Sequence, residues 1–194
     1  NQETAGYVVG TDAYKDSQLK DTNPNPEAYR DAQSARLYSR IDYQIDDDAH
    51  VSITPYVRYT DMDFLQHFLP GTPLEMNGQE SVGVQSAFYQ QLGAQLEVIS
   101  GVDVEYTESF LKQRQDQVIP ISESFFLNKT IPAGMQYDYE VEAVMIAPFV
   151  QANYQASEKL SLTAGLRYES MRYDYDNQML DGRTDDQGVA CTVG

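Results

Sequence analysis

The sequence predicts an all-β protein, an antiparallel up-and-down transmembrane β-barrel that is partial, with about six to seven strands of a larger barrel. Three observations carry this. A nine-residue alternating pattern occurs three times, each just after a tight turn: Val51, Ile53, Pro55, Val57, Tyr59; then Val98, Ser100, Val102, Val104, Tyr106; then Leu160, Leu162, Ala164, Leu166, Tyr168. Strict period two means strand, because successive Cβ atoms point to opposite sides of the pleat. From first apolar residue to tyrosine, such a strand covers roughly 20 Å of membrane normal at about 3.4 Å per residue and a tilt of about 40°. Connections alternate between tight turns and long loops, as in a meander with short turns at one rim. Tyrosines mark both ends of the apolar face, Tyr43 and Tyr154 beside tight turns and Tyr59, Tyr106 and Tyr168 opposite. A bilayer selects two such belts, since the ring is apolar while the hydroxyl wants water.

The elements follow in order. A strand end is expected at Gly6 to Gly10, then a polar loop over roughly 11–33 containing Asn-Pro-Asn-Pro. Residues 34–44 read as a strand with Leu37, Ile41 and Tyr43 on one face and Arg36, Tyr38, Arg40 and Asp42 on the other. A turn at Ile45 to Asp48 leads to a strand over about 49–62, then a long loop over roughly 63–79. Strands at 80–91 and from Gln95 to about Phe110 flank the turn Leu92-Gly93-Ala94. A longer loop, roughly 111–138, precedes a strand at 139–155, a turn at Ala156 to Glu158 and a last strand from Lys159 to about Tyr173. Pro55 and Pro148 interrupt two of these expected strands, and each removes a ladder donor, so bulges or local defects are expected there.

Composition narrows the function. With 30 acidic against 13 basic residues and a net charge of −17, the chain is no general nucleic-acid binder. Acidic loops that keep a protein soluble are the plain explanation, and attraction of cations is a second one. No stretch reaches the length of a transmembrane helix, which leaves a strand-built membrane wall open. The chain starts without Met and stops three residues after Cys191, its one cysteine, so it reads as a piece of something longer. That odd cysteine would pair beyond the cut or be a thiol of no consequence. Asn128-Lys129-Thr130 fits a glycosylation sequon and carries no weight in a bacterial envelope protein.

No catalytic motif or His/Cys metal constellation is legible, so no enzyme activity, metal or cofactor is expected. Asp103 and Glu105 lie on one polar strand face, together with Arg36, Arg40, Arg58 and Arg167. Lumen polarity explains the carboxylates, and the planar guanidinium fork suits carboxylate or phosphate. Phe64, Leu65, Phe68 and Leu69, beside His67, make one long loop unusually apolar, as a pocket wall or as a small satellite core. Tyr137-Asp138-Tyr139 and Tyr173-Asp174-Tyr175-Asp176 interleave rings and carboxylates, which suits a cation, a hydroxylated ligand or a solvated strand end. The candidate substrate residues are therefore Phe64, His67, Phe68, Tyr137, Tyr139, Tyr173 and Tyr175.

The last strand, Leu160-Ser-Leu-Thr-Ala-Gly-Leu-Arg-Tyr-Glu169, resembles the recurrent barrel strand of TonB-dependent outer-membrane receptors, L-x-L-x-x-G-L-R-Y-[DE]. Ala147-Pro-Phe-Val-Gln-Ala-Asn-Tyr154 is similar to the strand that precedes it there, and Val102-Asp-Val-Glu-Tyr106 to the family's G-x-[DE]-Y segments. The resemblance implies a 22-stranded barrel around an N-terminal plug, in the outer membrane of a Gram-negative bacterium. It implies uptake of a scarce nutrient, often a ferric siderophore and so an iron chelate as transported ligand, driven through a TonB complex. The partners it implies are outer-membrane lipid and lipopolysaccharide, the receptor's own plug domain, the TonB complex and a small-molecule ligand. The six lumen candidates would then face the plug. Residues 1–194 are expected to be part of one barrel domain, incomplete at both ends, with no plug domain, TonB box or closing aromatic strand. A passive porin, or a soluble all-β binding domain whose apolar faces meet across a core, are the alternatives.

Overall fold

The computed structural model describes residues 2–3, 10–23, 25–65, 71–120 and 131–179. The described strands form one antiparallel sheet: β1 (Gln2–Glu3), β2 (Tyr29–Tyr38), β3 (Ile41–Gln44), β4 (Ala49–Leu65), β5 (Leu74–Leu92), β6 (Leu96–Gln115), β7 (Gly134–Ser157), β8 (Leu160–Arg167) and β9 (Ser170–Asn177). A single 3-10 turn, Ala13–Lys15, interrupts the segment before β2. Sheet order follows chain order, with β3 beside β4 and β9 beside β7. No helix of the described residues is long and apolar enough to cross a membrane.

The two prolines explain why nine segments make fewer strand courses. Tyr38 pairs with Tyr56 and Ile41 with Ile53, so β2 and β3 lie in one unbroken register against β4. The gap between them falls opposite Pro55, which accepts from the Ser39 N–H at 3.2 Å and has no N–H to return. The same occurs at Pro148, which accepts from the Tyr168 N–H at 3.0 Å and splits β8 from β9. There too the register is kept, with Phe149 opposite Arg167 and Ile146 opposite Ser170. Each proline is thus a local defect of one missing bond, with no bulge. The tight turns fall at 45–48, 93–95 and 158–159, with Gly93 at a φ of 76° that favours glycine.

Strands run further toward the long-loop rim than the alternation indicates. Of the segment read as a loop over 63–79, residues 63–65 and 74–79 are strand, and of the one read as 111–138, residues 111–115 and 134–138 are strand. The first strand begins at Tyr29 instead of residue 34, and the last continues to Asn177. The expected strand end at Gly6 to Gly10 lies outside the described residues apart from Gly10; the pairing at that edge is Gln2 with Arg30 and Glu3 with Tyr29. At this extended rim neither face is continuously apolar, so the sequence signal vanishes while the ladder persists.

Burial runs opposite to that of a water-soluble sheet. On β4 the polar face is the covered one, with Ser52 and Tyr56 buried, while Val57 on the apolar face is 48% exposed. On β7, Ala147 is buried, whereas Val144, Ile146 and Val150 are exposed. In a barrel wall side chains crowd toward the interior, so this burial makes the polar face the inside and the aliphatic face the outside. No second sheet covers the aliphatic side chains among the described residues. A sandwich would bring such a cover against them.

The tyrosine belt fixes the tilt. Tyr59 stands opposite Glu80, whereas Tyr106 stands opposite Val82, and Tyr168 bonds to Pro148 lower still. A line through the three hydroxyls therefore cuts diagonally across the pairing rows, and it is level with a membrane surface when the strands lean. Beyond this belt the outer face turns acidic: Glu80, Glu108, Glu142 and Asp174 stand directly opposite one another on successive strands. Asp61, Glu140 and Asp176 continue the pattern. Much of the chain's acidity is thus displayed on strands, where acidic loops were expected.

Two outcomes follow. Val102→Lys places a charge on the outer aliphatic face and is expected to cost roughly 2–4 kcal/mol of folding into bilayers. Gln85→Lys, opposite Asp103 on the inner face, is expected to be tolerated; equal costs in a bilayer-folding titration would contradict the orientation. Glu142→Gln relieves like-charge contact with its cross-strand neighbours and is expected to raise stability by about 0.2–1 kcal/mol, more at low salt. Denaturant titrations at two ionic strengths check it.

Candidate functional site

The inner face places all six lumen candidates together. Arg58 Nη2 meets Glu105 Oε1 at 2.6 Å, although β5 lies between their strands. The Tyr56 hydroxyl donates to the other oxygen of Glu105, and Thr107 Oγ1 donates to Oε1 at 3.2 Å. The reach over β5 is possible because Gly83 stands opposite both Tyr56 and Glu105. A Cβ on Gly83 would sit 2.5 Å from the Tyr56 ring. The aromatic ring thereby covers the glycine, a pairing that also pins register. A second bridge repeats the device: Arg167 Nη1 meets Asp103 Oδ2 at 2.6 Å across β7, over the buried, small Ala147. Arg40, in the gap between β2 and β3, pairs with Asp42 of β3 at 3.1 Å.

Arg36 differs. It stands directly opposite Arg58, and among the described residues no carboxylate lies within ion-pair distance of it. Its guanidinium lies 5.4 Å from the Tyr38 ring and 5.5 Å from the Tyr56 ring. Two aromatic faces hold this exposed cation without neutralising it.

Five of the seven substrate candidates share this same inner face nearer the long-loop rim. Arg30, Phe64, Glu75, Gln113 and Tyr137 form one row of direct cross-strand partners. Phe64 belongs to β4, where a loop was expected; it is buried, with the Arg30 guanidinium 4.3 Å from its ring centre. Tyr139, Tyr175 and Tyr173 follow on β7 and β9, with the rings of Tyr139 and Tyr175 5.2 Å apart. Tyr137, Tyr173 and Tyr175 remain exposed. Period two separates what the sequence interleaves: the tyrosines of 137–139 and 173–176 face inward, while Asp138, Asp174 and Asp176 face outward. The rings and carboxylates of these two segments therefore do not share a face of the sheet. His67 and Phe68 lie outside the described residues, as do Leu69, Cys191 and the sequon at Asn128.

Arg30, Tyr56 and Glu75 were not singled out in the sequence. Once the strand is known to begin at Tyr29, parity with Arg36 places Arg30 on the inner face. Among the described residues no group of three or more His, Cys, Asp or Glu side chains could hold a metal ion.

A tilted wall, aliphatic outside between tyrosine belts and ion-paired inside, defines the class: a segment of an outer-membrane β-barrel. Residues 1–189 match the family model for the β-barrel of TonB-dependent receptors, and the chain belongs to that family. This is a family of outer-membrane transport receptors, not of enzymes. The fold is similar to that of the ferric-catecholate import receptor Fiu of E. coli K12. Its open form gives a TM-score of 0.54 at 12% identity, over 97% of this chain and 34% of that one. The closed form gives 0.54 at 13%, over 97% and 31%. At such identity the likeness concerns the fold alone, and the chain spans about a third of the receptor it matches. No curated protein matches the sequence.

Glu105→Ala strips Arg58 and Tyr56 of their shared acceptor and is expected to cost about 1.5–3 kcal/mol. Gly83→Ala is expected to be destabilising through displacement of the Tyr56 ring, and to be non-additive with Tyr56→Phe. Unfolding titrations of the two single variants and the double variant in one detergent check both.

Proposed function

We propose that this chain is barrel wall and loop of an outer-membrane active-transport receptor for a scarce nutrient, with a ferric siderophore as the cargo class. Residues 1–194 are, in this reading, part of one barrel domain. The polypeptide plug and the TonB complex that drives it belong to the rest of the receptor. Outer-membrane lipid and lipopolysaccharide meet the aliphatic face. The observation that carries the reading is the inner wall of Tyr137, Tyr139, Tyr173 and Tyr175 beside the row from Arg30 to Gln113. Catecholate iron chelates present flat rings and negative charge. Tyrosine faces stack on the former, and cations such as Arg30 and Arg36 attract the latter.

The test uses the full-length receptor in energised cells and, for binding, in detergent. The double variant Tyr139→Ala, Tyr175→Ala is expected to weaken binding of a ferric catecholate by about twofold to tenfold per ring, the range for an aromatic contact, at unchanged membrane insertion. Uptake is expected to stop when TonB is absent. Uptake that ignores TonB and the identity of the solute would indicate a passive channel instead.

A further inference from the structure

Among the largest side chains, the most deeply covered one in the described residues is a glutamine at the foot of a loop. Gln115, the last residue of β6, is 1% exposed. Its Oε1 accepts the Thr72 N–H at 3.0 Å, and its Nε2 donates to the Gln117 carbonyl at 3.0 Å. Thr72 belongs to the connection between β4 and β5, Gln117 to that between β6 and β7. Two further features are built around this amide. Gly71 holds a φ of 90°, and a Cβ there would lie 2.4 Å from Gln115 Oε1. Ile131 is also buried and lies within 3.6 Å of the same hypothetical Cβ. Ile131 in turn closes the second loop's foot, exchanging paired bonds with Ile119 at 3.0 and 2.9 Å. Pro73 is buried alongside.

An amide has one acceptor and one donor side, and here each is used on a different loop. Leaving either partner unmatched in a covered site is costly, because the group loses water without gaining a protein partner. We infer that Gln115 is a positioning residue that locks the feet of these two connections into one cooperative unit, so that they loosen and shift together. The lock stands on geometry alone. Its consequence, that contact with one loop is felt by the other during cargo binding, rests on the receptor reading above.

Amide hydrogen exchange on the full-length receptor tests the lock without any cargo. In Gln115→Leu, exchange at Thr72, Ile119 and Ile131 is expected to accelerate together by tenfold or more, with Val104 in mid-β6 unchanged. Gln115→Glu keeps the acceptor and loses the donor, so it is expected to protect Thr72 better than the leucine variant does. Gly71→Ala supplies the reciprocal test, because its new methyl group collides with Gln115 from the other loop. It is expected to accelerate exchange at Ile119 and Ile131, which lie on a different connection. Unchanged Ile119 and Ile131 in Gly71→Ala, or acceleration confined to Thr72 in Gln115→Leu, would overturn the lock. Neither result bears on whether the receptor carries iron.

Discussion

Within hydrocarbon no water stands ready to satisfy a peptide group, and this wall is organised around that shortage. Every strand must pair with a neighbour on each side for as long as it is immersed. The cost of an unmatched group limits irregularity to single missing donors, as at Pro55 and Pro148. Both prolines keep their carbonyl bonds to the next strand, so the ladder resumes in the same register on the far side. The chain can then give its side chains to the two faces independently, since the backbone already holds the sheet together. Valine and isoleucine outside contribute little to cohesion in lipid; they make immersion cheap.

Cohesion on the inner face has a different source. Arg58 to Glu105 and Arg167 to Asp103 each span three strands, over a residue too small to obstruct them. The guanidiniums are part-exposed at 40–41%, while their carboxylates are largely covered. Bidirectional charge bridging of this kind would be weak on an open surface. It gains from confinement in a crowded concave face and from the extra donors that Tyr56 and Thr107 bring to Glu105. Glycine and alanine under the bridges are therefore as much a part of the network as the charges. Arg36 stands opposite Arg58 at the edge of this network, near the rings of Tyr38 and Tyr56.

The central band was legible because its chemistry alternates. Three repeats of aliphatic residues ending in tyrosine specify face, tilt and immersion depth, and the tight turns between them set the order of the strands. Legibility failed where alternation failed. Near Asp61 and Asp63 the outer face is acidic while Thr60 and Met62 inside are mixed, so the pattern resembles a loop although the backbone still pairs. Phe64 was misplaced for this reason, and Arg30 missed. That Arg36, Arg58, Asp103, Glu105 and Arg167 share one face of the sheet needed parity alone, and parity was readable. Their partners were not: Arg58 reaching Glu105 over Gly83 depends on a contact two strands away, which linear spacing does not encode. Gln115 is the extreme case, an unremarkable polar residue whose surroundings come from two separate loops.

The dyad rhythm of Tyr-Asp-Tyr-Asp at 173–176 has a genetic corollary. Losing or gaining one codon within that strand would swap rings for carboxylates along its remaining length, turning the aspartates toward the interior and the tyrosines toward the surroundings. A change of two codons would restore the sides and merely slide the register. Divergence among proteins built on this plan is thus channelled into even-numbered steps along the staves and left free at the rim, where no face has to be honoured.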